Sequence, residues 1–355
     1  MMTRMYLMMK YMNLIKHIMI VLTMVLPLAS CAATPGNKYP LDAAYLRPEA
    51  LDREMLALAQ DPSGITKLHL LGFSSTYDLP IRALEIGNPQ ANRNVLIIGQ
   101  HHGDEVIGVQ IAIEFARQLV SQSQRQSGTS NLLSQFRFWI VPTINPEGYQ
   151  EVCSGVYQWK RKNSTDTDHN GFYDVRVDGV DLNRNYPIFW KLDPVIQPDN
   201  LNYKGSSPAS EREIQAIINL ADKVQMEYAI FFHSSSTGIH SEKIFLPWHD
   251  VKDSKQAMEM EQIRRFADHY ADLVPKDYKS GKYDVRSSYL SQVGNARNYF
   301  FHRYGTQAIL VETGGINRGG VCVVHPDKKM LQAVVDKNVN ALLKTFKASL
   351  NVAAE

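Results

Sequence analysis

The chain is short of cysteine, of net charge and of linker-like sequence. Three cysteines in 355 residues are too few for a disulfide framework to replace a core. The length suits one large globular domain or two small ones. Lys and Arg number 38 against 36 Asp and Glu, a net charge of +2. Arg4, Lys10 and Lys16 fall within the first 30 positions, which hold no acid; without them the balance is 35 against 36, or −1. A body so close to neutral carries no electrostatic footprint for nucleic acid. No internal repeat is visible, and past residue 60 no second linker.

The N-terminus has the character of a targeting segment. A basic stretch precedes Ile18–Leu28, an apolar run of 11 residues that is too short to span a bilayer comfortably. Leu28-Ala29-Ser30-Cys31 resembles a bacterial lipobox, in which Cys31 is lipidated and becomes the first mature residue. A secretory signal with an unrelated cysteine is the alternative. No acid follows Cys31 directly, and by resemblance to lipoprotein sorting this favours the periplasmic side of the outer membrane. A soluble periplasmic or secreted protein is the other outcome. The expected organisation is a signal peptide at 1–30, a tether or loosely docked arm at 31–60, and a catalytic domain at 61–355. Cys153 and Cys322 would then lie in an oxidising compartment, where a bridge between them is possible.

Beyond the arm, strand and helix patterns alternate. Asn94–Gly99, Phe136–Val141, Tyr228–Phe232 and Ala308–Val311 are short apolar runs of strand character. Glu105–Val120 and Lys329–Leu350 carry helical periodicity. Ser210–Val224 does too, with Ser210 as the expected cap and Glu213 three residues on. Residues 121–131 are polar and are expected as a surface loop. Alternating units of this kind imply an α/β fold, a three-layer α/β/α arrangement around a mixed, mostly parallel sheet.

The chemistry gathers where strands end. Gly99-Gln100-His101-His102-Gly103-Asp104-Glu105 follows one strand and opens a helix, the crevice where open α/β sheets bind ligands. His102 and Glu105, three apart, can aim at one point, and a His₂Glu zinc site needs one more histidine. His233 directly follows Tyr228–Phe232 and is the candidate. Glu312 ends a third apolar strand, where a carboxylate is costly unless paired or in use.

Further motifs are Asn145-Pro146-Glu147-Gly148-Tyr149, Trp159-Lys160-Arg161-Lys162-Asn163 and Gly179-Val180-Asp181-Leu182-Asn183-Arg184-Asn185-Tyr186-Pro187. With the histidine turn, Phe231-Phe232-His233-Ser234 and Val311-Glu312-Thr313-Gly314-Gly315, they occur in the order found in zinc carboxypeptidases of the carboxypeptidase A type. Residues 90–320 resemble that family. The resemblance implies one zinc per chain on His102, Glu105 and His233. It implies Glu312 as general base, Arg161 as stabiliser of the oxyanion, and Asn183 with Arg184 as the clamp on a terminal carboxylate. Tyr289 matches the tyrosine that closes over substrate, with Tyr283 and Tyr299 nearby. Lys160 is the alternative to Arg161.

Asp104 stands where digestive members of the family carry arginine. That form resembles bacterial members, including murein peptide amidases, and an acid there could meet a substrate amine. Arg297 lies three residues past Gly294, in a stretch that lines the family's specificity pocket, and could read a second carboxylate. Asp166-Thr167-Asp168-His169-Asn170-Gly171 imitates the start of a calcium loop but lacks the late glutamate, so it is expected as a surface turn. The expected function is hydrolysis of a peptide or isopeptide bond beside a free carboxylate, in peptides or muropeptides of the cell wall. The alternatives are a general carboxypeptidase, an acyl-amino-acid hydrolase of the succinylglutamate desuccinylase type, and a non-catalytic binding lipoprotein.

Overall fold

The computed structural model describes residues 39–124, 129–235, 238–287 and 291–352. The expected signal peptide with Cys31, and Tyr289, lie outside the described residues. Among the described residues no helix is long and apolar enough to cross a membrane.

The strands are β1 (Thr66–Phe73), β2 (Pro80–Gly87), β3 (Arg93–Ile98), β4 (Phe136–Val141), β5 (Met226–His233), β6 (Lys243–Phe245), β7 (Asp284–Arg286) and β8 (Gln307–Glu312). They form one sheet in the order β1-β2-β4-β3-β5-β8-β6-β7. The middle contacts, β4-β3-β5-β8, are parallel, whereas β1-β2, β2-β4 and β6-β8 are antiparallel. The expected mixed sheet is what forms. Its central strands are continuous apolar runs because helices cover both faces.

Alternation along each strand feeds two cores. Val95 and Ile97 of β3, with Tyr228, Ile230 and Phe232 of β5, point to one face. Leu96, Ile98, Ala229 and Phe231 point to the other. The first face is covered by α1 (Pro48–Ala59), α2 (Ile107–Gln124), α3 (Thr129–Gln135), α4 (Pro146–Ser154), α6 (Ser254–Asp272) and α8 (Lys328–Val352). The second is covered by α5 (Arg212–Lys223) and α7 (Ala296–Tyr304).

Three expectations change. From residue 39 the arm is part of the packed body: Leu41, Tyr45, Leu51 and Met55 are buried in the first core. Leu51 and Met55, four apart, face inward from α1, and the Tyr45 hydroxyl donates to Pro326 O at 3.0 Å. The described residues of the polar stretch 121–131 are helical, with α2 running to Gln124 and α3 starting at Thr129. Ser210 does not cap α5; Glu211 takes that position, and the Ser210 hydroxyl donates to the Glu211 carboxylate at 2.7 Å. Glu213 turns inward instead, accepting from Ser75 N at 3.1 Å and Asn163 Nδ2 at 3.2 Å. Cys153 and Cys322 are both free thiols.

Candidate metal centre and active site

Three neighbouring strands deliver the site. β3 leads into the turn that carries His102 and Glu105, β5 ends on His233, and β8 ends on Glu312. His233 and Glu312 are paired in register across β5 and β8. The turn after β3 is closed by Glu105 N donating to His102 O at 3.0 Å. It needs Gly103, since a Cβ there would collide with Gly148 and with Lys160 O.

His102, Glu105 and His233 are all buried, and their ligand atoms converge. Glu105 Oε1 lies 2.9 Å from His102 Nδ1, and Oε2 lies 2.7 Å from His233 Nδ1. The two Nδ1 atoms are 3.2 Å apart. Ligands bonded to a tetrahedral zinc at about 2.0–2.1 Å stand roughly 3.3 Å from one another, so two imidazoles and a carboxylate at this spacing fit zinc. His102 Nε2 donates to Asp181 Oδ1 at 3.0 Å, which leaves its Nδ1 lone pair for a metal. His101 is buried behind His233, its ring stacked at 5.3 Å between centroids and its Nε2 3.1 Å from the Tyr186 hydroxyl.

The charges of the group act on one another. Burial opposes charge on Glu105, but His102 and His233 hold its carboxyl well below the usual range. Burial and Arg161 press His102 down; Glu105 and Asp181 outweigh them and raise it to about 9. Burial takes His233 down to about 4 despite Glu105. Glu312 is the opposite case. Burial, then the charge of Glu105, push its carboxyl up to about 8, and its Oε2 has no hydrogen-bond partner among the described residues. A carboxyl poised near neutrality beside a metal group can take and return a proton.

Arg161, rather than Lys160, reaches the metal group. Its Nη2 pairs with Asp181 Oδ2 at 2.8 Å and its Nη1 lies 3.6 Å from Glu105 Oε1. Lys160 is buried elsewhere and donates to Asp178 O at 3.1 Å. Asn183 accepts Ala296 N at 3.0 Å, and its Nδ2 lies 3.3 Å from His233 Nε2. Arg184 Nη1 donates to Asn183 O at 2.9 Å, and its Nε lies 3.8 Å from Asp193 Oδ2. Arg297 is buried, donates from Nε to Leu246 O at 3.1 Å, and is pressed down to about 9 by burial and by Arg184. Asp104 is buried; burial and Glu105 raise its carboxyl to about 6, and its Oδ1 has no hydrogen-bond partner among the described residues.

Sequence reasoning quoted Asp181 and Asn145 inside motifs without giving them work. Asp181 joins His102 to Arg161. Asn145 caps α4 and donates from Nδ2 to His101 O at 3.0 Å. Their links to His101, His102 and Arg161 lie 16 to 79 residues away along the chain. The segment 166–171 is a turn, with Gly171 N donating to Asp166 Oδ2 at 2.9 Å. A third carboxylate, Asp178, lies close to Asp166 and Asp168, and Asp178 already accepts from Thr167 N and Asp174 N.

Known proteins resemble this chain. Human mast cell carboxypeptidase A is 27% identical over 167 residues, covering 46% of this chain and 39% of that protein. The inactive metallocarboxypeptidase ECM14 of Paracoccidioides brasiliensis is 31% identical over 157 residues, covering 40% of this chain and 24% of that one. The match thus spans well under two thirds of either relative. The crystal structure of carboxypeptidase A from Helicoverpa armigera superposes with a TM-score of 0.73 at 18% identity, over 88% of this chain and 75% of that one, a likeness of fold. The zinc carboxypeptidase family profile matches residues 51–341, and on that match this chain belongs to the zinc carboxypeptidase family.

Proposed function

We propose that this protein is an exported, lipid-anchored zinc carboxypeptidase that hydrolyses a peptide or isopeptide bond next to a free carboxylate in murein peptides. Zinc on His102, Glu105 and His233 would supply Lewis-acid polarisation at the scissile carbonyl. Glu312 takes a proton from the attacking water and passes one to the leaving amine. Arg161, fixed by Asp181, faces the developing oxyanion. Arg184 and Asn183 hold the terminal carboxylate, for which a planar guanidinium offers two parallel donors. Cys31 would carry the lipid, on the periplasmic face of the outer membrane.

The observation that carries the murein reading is Asp104. A buried carboxylate oxygen without a partner, one residue from a metal ligand, suits a substrate that brings its own ammonium group. Diaminopimelate-type cell-wall peptides bring one, together with a second carboxylate that Arg297 could receive. A general carboxypeptidase is the second reading, favoured by the name of the mast cell relative. Defined muropeptides and ordinary peptides, incubated with the protein and analysed by mass, separate the two. Cleavage at a diaminopimelate-containing bond is expected. Release of C-terminal L-amino acids from ordinary peptides alone would defeat the murein reading.

A further inference from the structure

Glu312 differs from the metal ligands in how it is held. Its Oε2 has no hydrogen-bond partner among the described residues, so its aim leans on the backbone that carries it. That backbone leaves β8 through Thr313-Gly314-Gly315-Ile316, and all four N–H groups are occupied. Thr313 N donates to His233 O at 2.7 Å, and Gly314 N to the Tyr283 hydroxyl at 2.8 Å. Gly315 N and Ile316 N both donate to a single oxygen, Asp277 Oδ2, at 2.6 and 2.9 Å.

Asp277 is itself anchored. Its other oxygen pairs with Lys337 Nζ, from α8. Lys337 also donates to Pro275 O at 2.9 Å and lies 5.0 Å from the centre of the Tyr283 ring. Asp277 N donates to Glu242 Oε1 at 2.6 Å. The approach is close enough that a Cβ on Gly314 would stand inside the Asp277 carboxylate, and Gly315 has a φ of +101°. Gly314 therefore answers to Asp277. The segment beyond them returns to the metal turn, where His325 Nε2 donates to Asp104 O at 2.8 Å.

We propose that Asp277, anchored by Lys337, is a positioning residue for Glu312: it sets the chain leaving β8, and through it the aim of the base. This rests on Glu312 being the base. A carboxylate with one oxygen that no neighbour among the described residues holds can move when its backbone moves, and a misplacement of about 1 Å can cost on the order of 10²-fold in rate.

The test uses the full chain and a muropeptide or a blocked dipeptide, whichever the unmodified protein cleaves. Asp277→Ala is expected to lower kcat by about 10- to 100-fold, with KM within about twofold and zinc content unchanged. Asp277→Asn keeps an oxygen for the two N–H groups but loses the charge paired with Lys337, and should fall between. In a Glu312→Gln background, Asp277→Ala should cause no further loss, because the group it positions is gone. A folded, zinc-loaded Asp277→Ala with unchanged kcat overturns the proposal, as does an equal loss in both backgrounds or a loss that follows zinc. If Asp277→Ala does not fold, Asp277→Asn and Lys337→Met carry the same comparison. An active Glu312→Gln would instead sink the base assignment, a separate outcome.

Discussion

The two halves of the site are built differently. On the metal side, side chains fix side chains: Asp181 holds both His102 and Arg161, and His101 backs His233. On the side of the proposed base, Glu312 Oε2 has no partner among the described residues, and order is imposed on the backbone by Asp277 and Tyr283. A metal ligand must present one lone pair in a set direction, so a second group that fixes its tautomer is useful. A base must exchange protons, and a permanent hydrogen bond to its carboxylate would drag its pKa down. Burial, then the charge of Glu105, put the Glu312 carboxyl at about 8.

The largest effect should come from breaking the side that carries the base. Glu312→Gln should retain zinc and lose hydrolysis by about 10²- to 10⁴-fold, read by peptide turnover and metal analysis. On the metal side, Asp181→Asn should weaken zinc affinity by about 10- to 100-fold, measured by competition with a chelator. Unchanged affinity would mean that His102 is held in place by something else.

The smallest effect lies outside both halves, at Glu213. Burial, with Glu211 adding to it and against the Ser75 hydrogen bond, raises this carboxyl to about 7. Folding therefore favours its protonated form. Its contribution is full below the ordinary value of 4.5 and is lost as pH rises through about 7. The thermal midpoint of the unmodified protein should drop by roughly a few degrees relative to Glu213→Gln between pH 5 and pH 8. Parallel curves for the two proteins would refute the shift.

Much of the site was legible from strand ends. Asn94–Gly99, Tyr228–Phe232 and Ala308–Val311 read as buried strands because they are unbroken apolar runs, and each proved to be a central strand. His102, Glu105, His233 and Glu312 stood out because polar groups at such places need a reason. Less was legible where a partner comes from far along the chain. Asp277 lies 38 residues before Gly315 in a stretch without motif character. Ser210 looked like a cap until Ser75 and Asn163, distant in sequence, drew Glu213 inward.

By itself, the sequence determined the layered α/β class, the family resemblance and the residues able to bind a metal, because apolar periodicity and residue chemistry are local properties. Only the tertiary structure decided that residues 39–60 belong to the packed body, that Arg161 rather than Lys160 reaches the metal group, and that Asp181 and Asp277 hold the two halves. Those outcomes depend on contacts between segments tens to hundreds of residues apart. Such contacts depend on the strand order of the sheet, and no local pattern records them.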